Sequence, residues 1–239
     1  MRNQHLAAIV GGVLFCVLAQ PAFAQTARTP VFVSPEQLDV AAVLPSPPAG
    51  NSPEAKAEMA ELHRLQESRS RSQIEHAKAD EGEEDIFIFK DVVGEKFRRE
   101  AFPLTAALSD HVHNDGSFIV NPAKTYFHRP RPYQFDTTLK PVCKTTASTT
   151  DYAYPSGHAT TGYLEALVLT LMVPEKRDAI LARADDYAHS RLVCGVHYPT
   201  DTLSGKDVAY AMIGIMMGNP QFKKELEAAK AEIRVAFGQ

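Results

Sequence analysis

The sequence predicts an all-α protein, built as a compact single-domain helical bundle. Three observations carry this. No stretch alternates apolar and polar residues as a half-buried strand would, several stretches space apolar residues at helical intervals, and prolines and capping residues stand where helices would begin and end. No internal repeat is visible, and the length suits one sizeable domain with its own core.

The first stretch, "MRNQHLAAIVGGVLFCVLAQPAFA", has a positive start at Arg2, an apolar run from Leu6 to Ala19 and a small-residue cleavage site at Ala22-Phe23-Ala24. It reads as a signal peptide over residues 1–24, with an apolar run too short to span a bilayer. Secretion to the periplasm is therefore expected. Residues 25–53, containing "LPSPPAGNSP", read as a Pro-rich N-terminal arm, and residues 54–239 as the helical domain.

Ser52 and Pro53 supply an N-cap and a first helical residue for one long helix reaching about Ala79, with Met59, Leu62, Leu65 and Ile74 at loosely helical spacing. A second helical region spans about Asp85 to Asp115, broken or restarted at Pro103. Residues 121–155, with Pro122, Pro130, Pro132 and Pro141 and a Thr/Ser run, are expected to be loop. Helices return from near Pro155 to Pro174, from Pro174 to Cys194 with Gly195 as the C′ residue, after Asp201, and from Pro220 onward. The most apolar segment, Tyr163 to Val173, contains Glu165 and stops at Pro174, so no membrane span is expected after the signal.

The formal net charge is −4 and no basic block is present, which argues against nucleic acid or an anionic membrane as the main partner. Beyond the signal two cysteines remain, Cys143 and Cys194. In an oxidising compartment the pair suggests one disulfide, the alternative being two buried thiols.

Three separated fragments point to a phosphate site. "KTYFHRPRP" sets Lys124 seven residues before Arg131. "YPSGHATTG" puts Ser156, Gly157 and His158 where a loop enters an apolar helix, whose free N–H groups and positive dipole end suit an anion. Ser156 alone could be a plain N-cap. "SRLVCGVHYPTD" holds Arg191, His197 and Asp201.

Together the fragments read K-x6-RP, PSGH and SR-x5-H-x3-D, and the chain resembles the type 2 phosphatidic acid phosphatase superfamily, which also holds the vanadium-dependent haloperoxidases. Within it the chain is most similar to secreted bacterial class A non-specific acid phosphatases, a likeness extending to "SPEQLDVAAVLPSPPAGNS" and "NPQFKKELEAAKAE". It departs from that pattern at Tyr152-Ala153-Tyr154, at Ala159 and at Tyr198, positions that bear on the leaving-group pocket.

The resemblance implies that Lys124, Arg131, Arg191, Ser156 and Gly157 bind the substrate phosphate and that His197 attacks phosphorus. His158 would then serve as general acid. Asp201, four residues after His197, can fix the imidazole tautomer, or can cap the helix that follows; one carboxylate is not expected to serve both fully. The expected activity is metal-independent hydrolysis of small phosphate monoesters through a phosphohistidine, with a bell-shaped pH profile on the acid side, no cofactor, and a possible homo-oligomer. Alternatives sharing the pocket are a haloperoxidase, a lipid phosphate phosphatase and a non-catalytic phosphate binder. "SDHVHND" offers His111, His113 and Asp115 but no fourth ligand at a known spacing, so no metal site is expected. His128 and Arg129 are expected to pack and to hydrogen-bond their loop.

Overall fold

The computed structural model describes residues 29–238, and the expected signal peptide lies outside them. All regular structure among the described residues is helical. A short helix α1 (Val40–Val43) lies in the arm, followed by α2 (Pro53–Ser68) and α3 (Arg71–Gly82). Sequence spacing suggested that α2 and α3 were one helix. They are two, because Ser70 begins a new one, accepting from Gln73 N while the Gln73 side chain accepts from Ser70 N.

Next come 3₁₀ turns at Ile86–Phe89 and Arg99–Ala101, with α4 (Lys90–Val93) between them. Helix α5 (Pro103–Phe127) follows, longer than expected. It runs through Pro122, so the segment expected to be loop from residue 121 begins instead at His128, a left-handed residue closing the helix. Short α6 (Pro132–Phe135) precedes the long loop. Then come α7 (Gly157–Met172), α8 (Arg177–Cys194) after a 3₁₀ turn at Pro174–Lys176, α9 (Pro199–Met216) and α10 (Pro220–Phe237). Gly195 takes the left-handed conformation (φ 75°) that the end of α8 requires.

Helix α7 is the centre of the bundle. It packs against α5, α8, α9 and α10, and most of its residues are buried, which explains why its sequence is apolar nearly all round. Close approach to α9 depends on Gly205, where a Cβ would lie 2.7 Å from the Ser156 carbonyl oxygen. A group of phenylalanines (Phe87, Phe97, Phe102) extends the core below α5.

The arm is part of this core. Asp115 on α5 is fully buried, and its carboxylate accepts from the amides of Val31, Phe32 and Val33 at 2.8, 2.6 and 2.9 Å. Phe32 then packs edge-on against Phe222 of α10. Two smaller apolar clusters, Leu62–Leu139–Leu192–Tyr198 and Ala77–Val193–Val196, fasten α2 and α3 to the end of α8. Cys143 and Cys194 are bonded, their Cα atoms 5.1 Å apart, so the loop after α6 is tied to the last residue of α8.

Candidate active site

The three sequence fragments meet. Lys124 lies in the last turn of α5, Arg131 just before α6, Ser156 to His158 at the start of α7, Arg191 in the last turn of α8, and His197 and Asp201 around the start of α9. Arg131, His158 and Arg191 line a polar pocket of about 290 Å³ with Glu81, Glu84 and Asp151. His197 and Lys124 lie behind this lining, and Arg131 is the link: its Nη1 donates to His197 Nε2 at 2.7 Å.

That contact fixes a proton. Arginine can only donate, so His197 Nε2 is an acceptor and the ring hydrogen sits on Nδ1. Nδ1 in turn lies 3.2 Å from Asp201 Oδ2. Burial, reinforced by the charges of Arg131, Lys124 and Arg191, holds the His197 imidazole well below its usual pKa, so the ring is neutral.

Asp201 is buried completely, and burial pushes its carboxyl up against the opposing pull of Arg129. The expectation that one carboxylate would not both orient an imidazole and serve the helix start is corrected here. Asp201 is the third residue of α9, not its N-cap, and Oδ2 accepts from Tyr198 N at 2.8 Å as well as facing His197. The other oxygen, Oδ1, accepts from Arg129 Nη1 at 2.6 Å.

Arg129 thus supports the site from behind. Its Nη2 donates to Glu58 at 2.6 Å, its Nη1 also reaches Thr200, and its guanidinium lies 3.8 Å over the Tyr198 ring. This elaborates the packing role expected of it.

Among the phosphate-cradle candidates Arg131 donates from Nη2 to Asp151 Oδ1 at 2.8 Å, whereas Arg191 and Lys124 have no carboxylate at hydrogen-bond distance. Arg191 is 4 % exposed, its Nε has no partner, and Glu81 stands 3.7 Å from Nη2. Lys124 Nζ donates to the Tyr152 carbonyl at 2.8 Å; burial, then the neighbouring Arg131, push its pKa down to about 7. Ser156 Oγ accepts from Ala159 N and Ser156 N donates to the Asp201 carbonyl. The N–H groups of Gly157 and His158, at the start of α7, have no carbonyl to reach within the helix.

His158 Nε2 lies 2.9 Å from Glu84 Oε1, a close contact without hydrogen-bond alignment. Sequence reading missed Glu84, Glu81, Asp151 and Glu58. Glu81 and Glu84 belong to an acidic run that looks solvated in one dimension, and only the fold turns them toward the pocket.

The remaining candidates disperse. His111 pairs with Glu225 at 2.9 Å, His113 faces Glu84 at 3.8 Å and Asp115 holds the arm, so these three do not share a centre. An apolar-walled hollow of about 540 Å³ between Pro47, Tyr126 and Phe135 contains none of the cradle residues.

With this geometry in view, the likeness to known proteins is specific. The PAP2 superfamily model matches residues 110–225. This segment, just under half of the chain, is similar to the PAP2 superfamily. It contains all the candidate catalytic and phosphate-binding residues, from Lys124 to Asp201. Similar proteins include a non-specific acid phosphatase of Providencia stuartii, 31% identical over 137 residues, which are 56% of this chain and 54% of that protein. A non-specific acid phosphatase of Salmonella typhi is 31% identical over 61% of this chain and 59% of its own length. An acid phosphatase of Zymomonas mobilis is 33% identical over 48% and 44%. The chain therefore spans about half the length of the curated relatives it matches. Among solved structures, a transmembrane PAP2 type phosphatidylglycerolphosphate phosphatase from Bacillus subtilis shares the fold, with a TM-score of 0.51 and 17% identity over 75% of this chain and 90% of that one. Among the described residues here, no helix is long and apolar enough to cross a membrane.

Proposed function

We propose that this protein is a secreted acid phosphatase that hydrolyses a broad range of phosphate monoesters without a metal ion. One observation carries the proposal: a neutral imidazole, its tautomer held between Asp201 and Arg131, stands near Lys124 and Arg191, two cations with no carboxylate at hydrogen-bond distance.

In the proposed reaction the substrate phosphoryl group enters the pocket and draws Arg131 Nη1 away from His197 Nε2. Its non-bridging oxygens are taken up by Arg131, Arg191, Lys124 and the free N–H groups at the start of α7. Charge on those oxygens is then met by fixed cations and dipoles, which suits a loose phosphoryl-transfer transition state. Nε2 attacks in line and a bond forms between nitrogen and phosphorus as the ester oxygen departs. His158 gives that oxygen a proton, then takes one from the water that hydrolyses the phosphohistidine. Asp201 stabilises the positive charge the His197 ring acquires.

The acid-side optimum has a physical basis in Lys124. With its pKa at about 7 in the free enzyme, one cradle cation is lost as pH rises past neutrality. Similarity to named acid phosphatases supports the same substrate class.

The test is acid quenching after mixing with a ³²P-labelled monoester. Label is expected on histidine in the parent and absent in His197→Ala, whose kcat should fall about 10³-fold or more. Turnover should survive EDTA and be inhibited by vanadate. Full turnover by His197→Ala would overturn the mechanism.

A further inference from the structure

We infer that Glu84 is the positioning residue for His158: its carboxylate holds the Nε2 side of the imidazole, leaving Nδ1 to deliver the proton to the departing oxygen. The inference rests on the phosphatase reading above and adds to it a residue outside the PAP2 domain match.

The geometry is that of a second carboxylate–imidazole pair, built from different parts of the chain than the first. Glu84 stands in the connection after α3, His158 in the first turn of α7, and Oε1 lies 2.9 Å from Nε2. The other oxygen, Oε2, faces His113 Nε2 of α5 at 3.8 Å, so the carboxylate is held between imidazoles of two helices. Across the ring stands the aromatic face of Tyr187 from α8, tilted 25° from the imidazole plane with centroids 6.4 Å apart. Arg131 and Arg191 line the same pocket as Glu84 and His158, and a smaller hollow of about 170 Å³ adjoins it along the Glu84–His158 pair. Contact with His158 leads the causes that hold the Glu84 carboxyl below its usual range; burial opposes, and the charges of His158, His113 and Arg191 assist. Glu84 therefore remains an anion on the acid side where the enzyme is expected to work.

A general acid matters in proportion to how badly the leaving oxygen needs a proton. A sugar alkoxide needs one, whereas a dinitrophenolate departs without it. A residue that only orients the acid should therefore be felt with one substrate and not with the other, which no loss of folding or of phosphate binding would produce.

The experiment measures kcat/KM, which reports formation of the phosphoenzyme, on a sugar phosphate and on 2,4-dinitrophenyl phosphate for the parent, Glu84→Gln, Glu84→Asp and His158→Ala. Glu84→Gln should lose about tenfold on the sugar phosphate, a share of the 10²–10⁴ a general acid contributes, and less than about threefold on the aryl ester. His158→Ala should show the same split more strongly, and Glu84→Asp should recover part of it. Equal losses on both esters, or no loss on either, would overturn the assignment of Glu84. A His158→Ala enzyme without the split would overturn it as well, by removing the acid it serves. A parent inert on both esters would instead refute the phosphatase reading itself.

Discussion

Replacing Arg129 with methionine removes a cation that touches no substrate yet supports the site from behind. Arg129 donates to Asp201 and Glu58 at 2.6 Å each and to Thr200 at 2.7 Å, with the two carboxylate side chains 0% and 8% exposed. Methionine fills similar space over Tyr198 but leaves both carboxylates facing an apolar neighbour. Removing one member of a buried ion pair typically costs about 3–5 kcal/mol, because the remaining charge is uncompensated. For a chain of this size each kcal/mol lowers Tm by about 2–4 °C, so a fall of roughly 6–20 °C is expected in a thermal melt. Activity should change too. Arg129 is the strongest influence opposing the upward push of burial on Asp201, so without it the carboxyl takes up a proton at higher pH. Protonated Asp201 no longer favours the His197 tautomer, and the acid limb of kcat should move to higher pH. Adding Glu58→Gln removes one of the two orphaned charges, so it should restore part of the Tm and leave the shifted limb in place. A melt within about 2 °C of the parent, together with an unmoved acid limb, would refute this account of Arg129.

Three further outcomes are expected. Above pH 7 kcat/KM should decline as Lys124 discharges, and Lys124→Arg, whose guanidinium stays charged, should move that limb upward; an unmoved limb would assign it to another group. Glu165 is buried in α7 with Oε2 unpartnered, and burial raises its pKa well above the ordinary value despite the hydrogen bond from Ser109. Between the unfolded and folded pKa the native state keeps a proton that the unfolded chain has released, so stability falls as pH rises. Glu165→Gln abolishes this, and its Tm advantage should grow from pH 4 to pH 8; a constant difference would contradict the buried neutral acid. Gly205→Ala should cost about 1–3 kcal/mol and most of the activity, since its Cβ would press on the Ser156 carbonyl and separate α9 from the start of α7. Gly214→Ala, also in α9 but with open space around it, should leave both intact or gain stability in a denaturant melt.

The helices of the second half were readable because local signals mark them. Pro174, Gly195 and Pro220 punctuate the chain, and α7 announces itself by being apolar on every side. In the first half the signals compete. Ser70 with Gln73 is a capping box inside a continuous helical pattern, and spacing alone carries through it. The second helical region was expected to end near Asp115, yet α5 continues through Pro122 to Phe127, which moves Lys124 from loop to helix. The residues proposed for the cradle and the two histidines could be picked out of the sequence because they are reactive types at fixed separations in three fragments. Glu58, Glu81, Glu84 and Asp151 were not, since a carboxylate in a charged run gains its meaning only from what the fold sets opposite it. Asp201 was legible in part: its spacing from His197 is visible in sequence, whereas the sharing of Oδ2 between an imidazole and a backbone amide is a matter of three dimensions.

The clamp formed by Asp115 sets a limit on trimming at the amino end. A chain starting at Thr29 retains every amide that this carboxylate collects, whereas one starting at Ser34 would strand a sealed-in negative charge and open the slot that Phe32 fills beside Phe222. Trimming up to that boundary should leave the clamp intact, whereas a cut a few residues further would do damage that is remote from the pocket but falls on the very helix that carries Lys124.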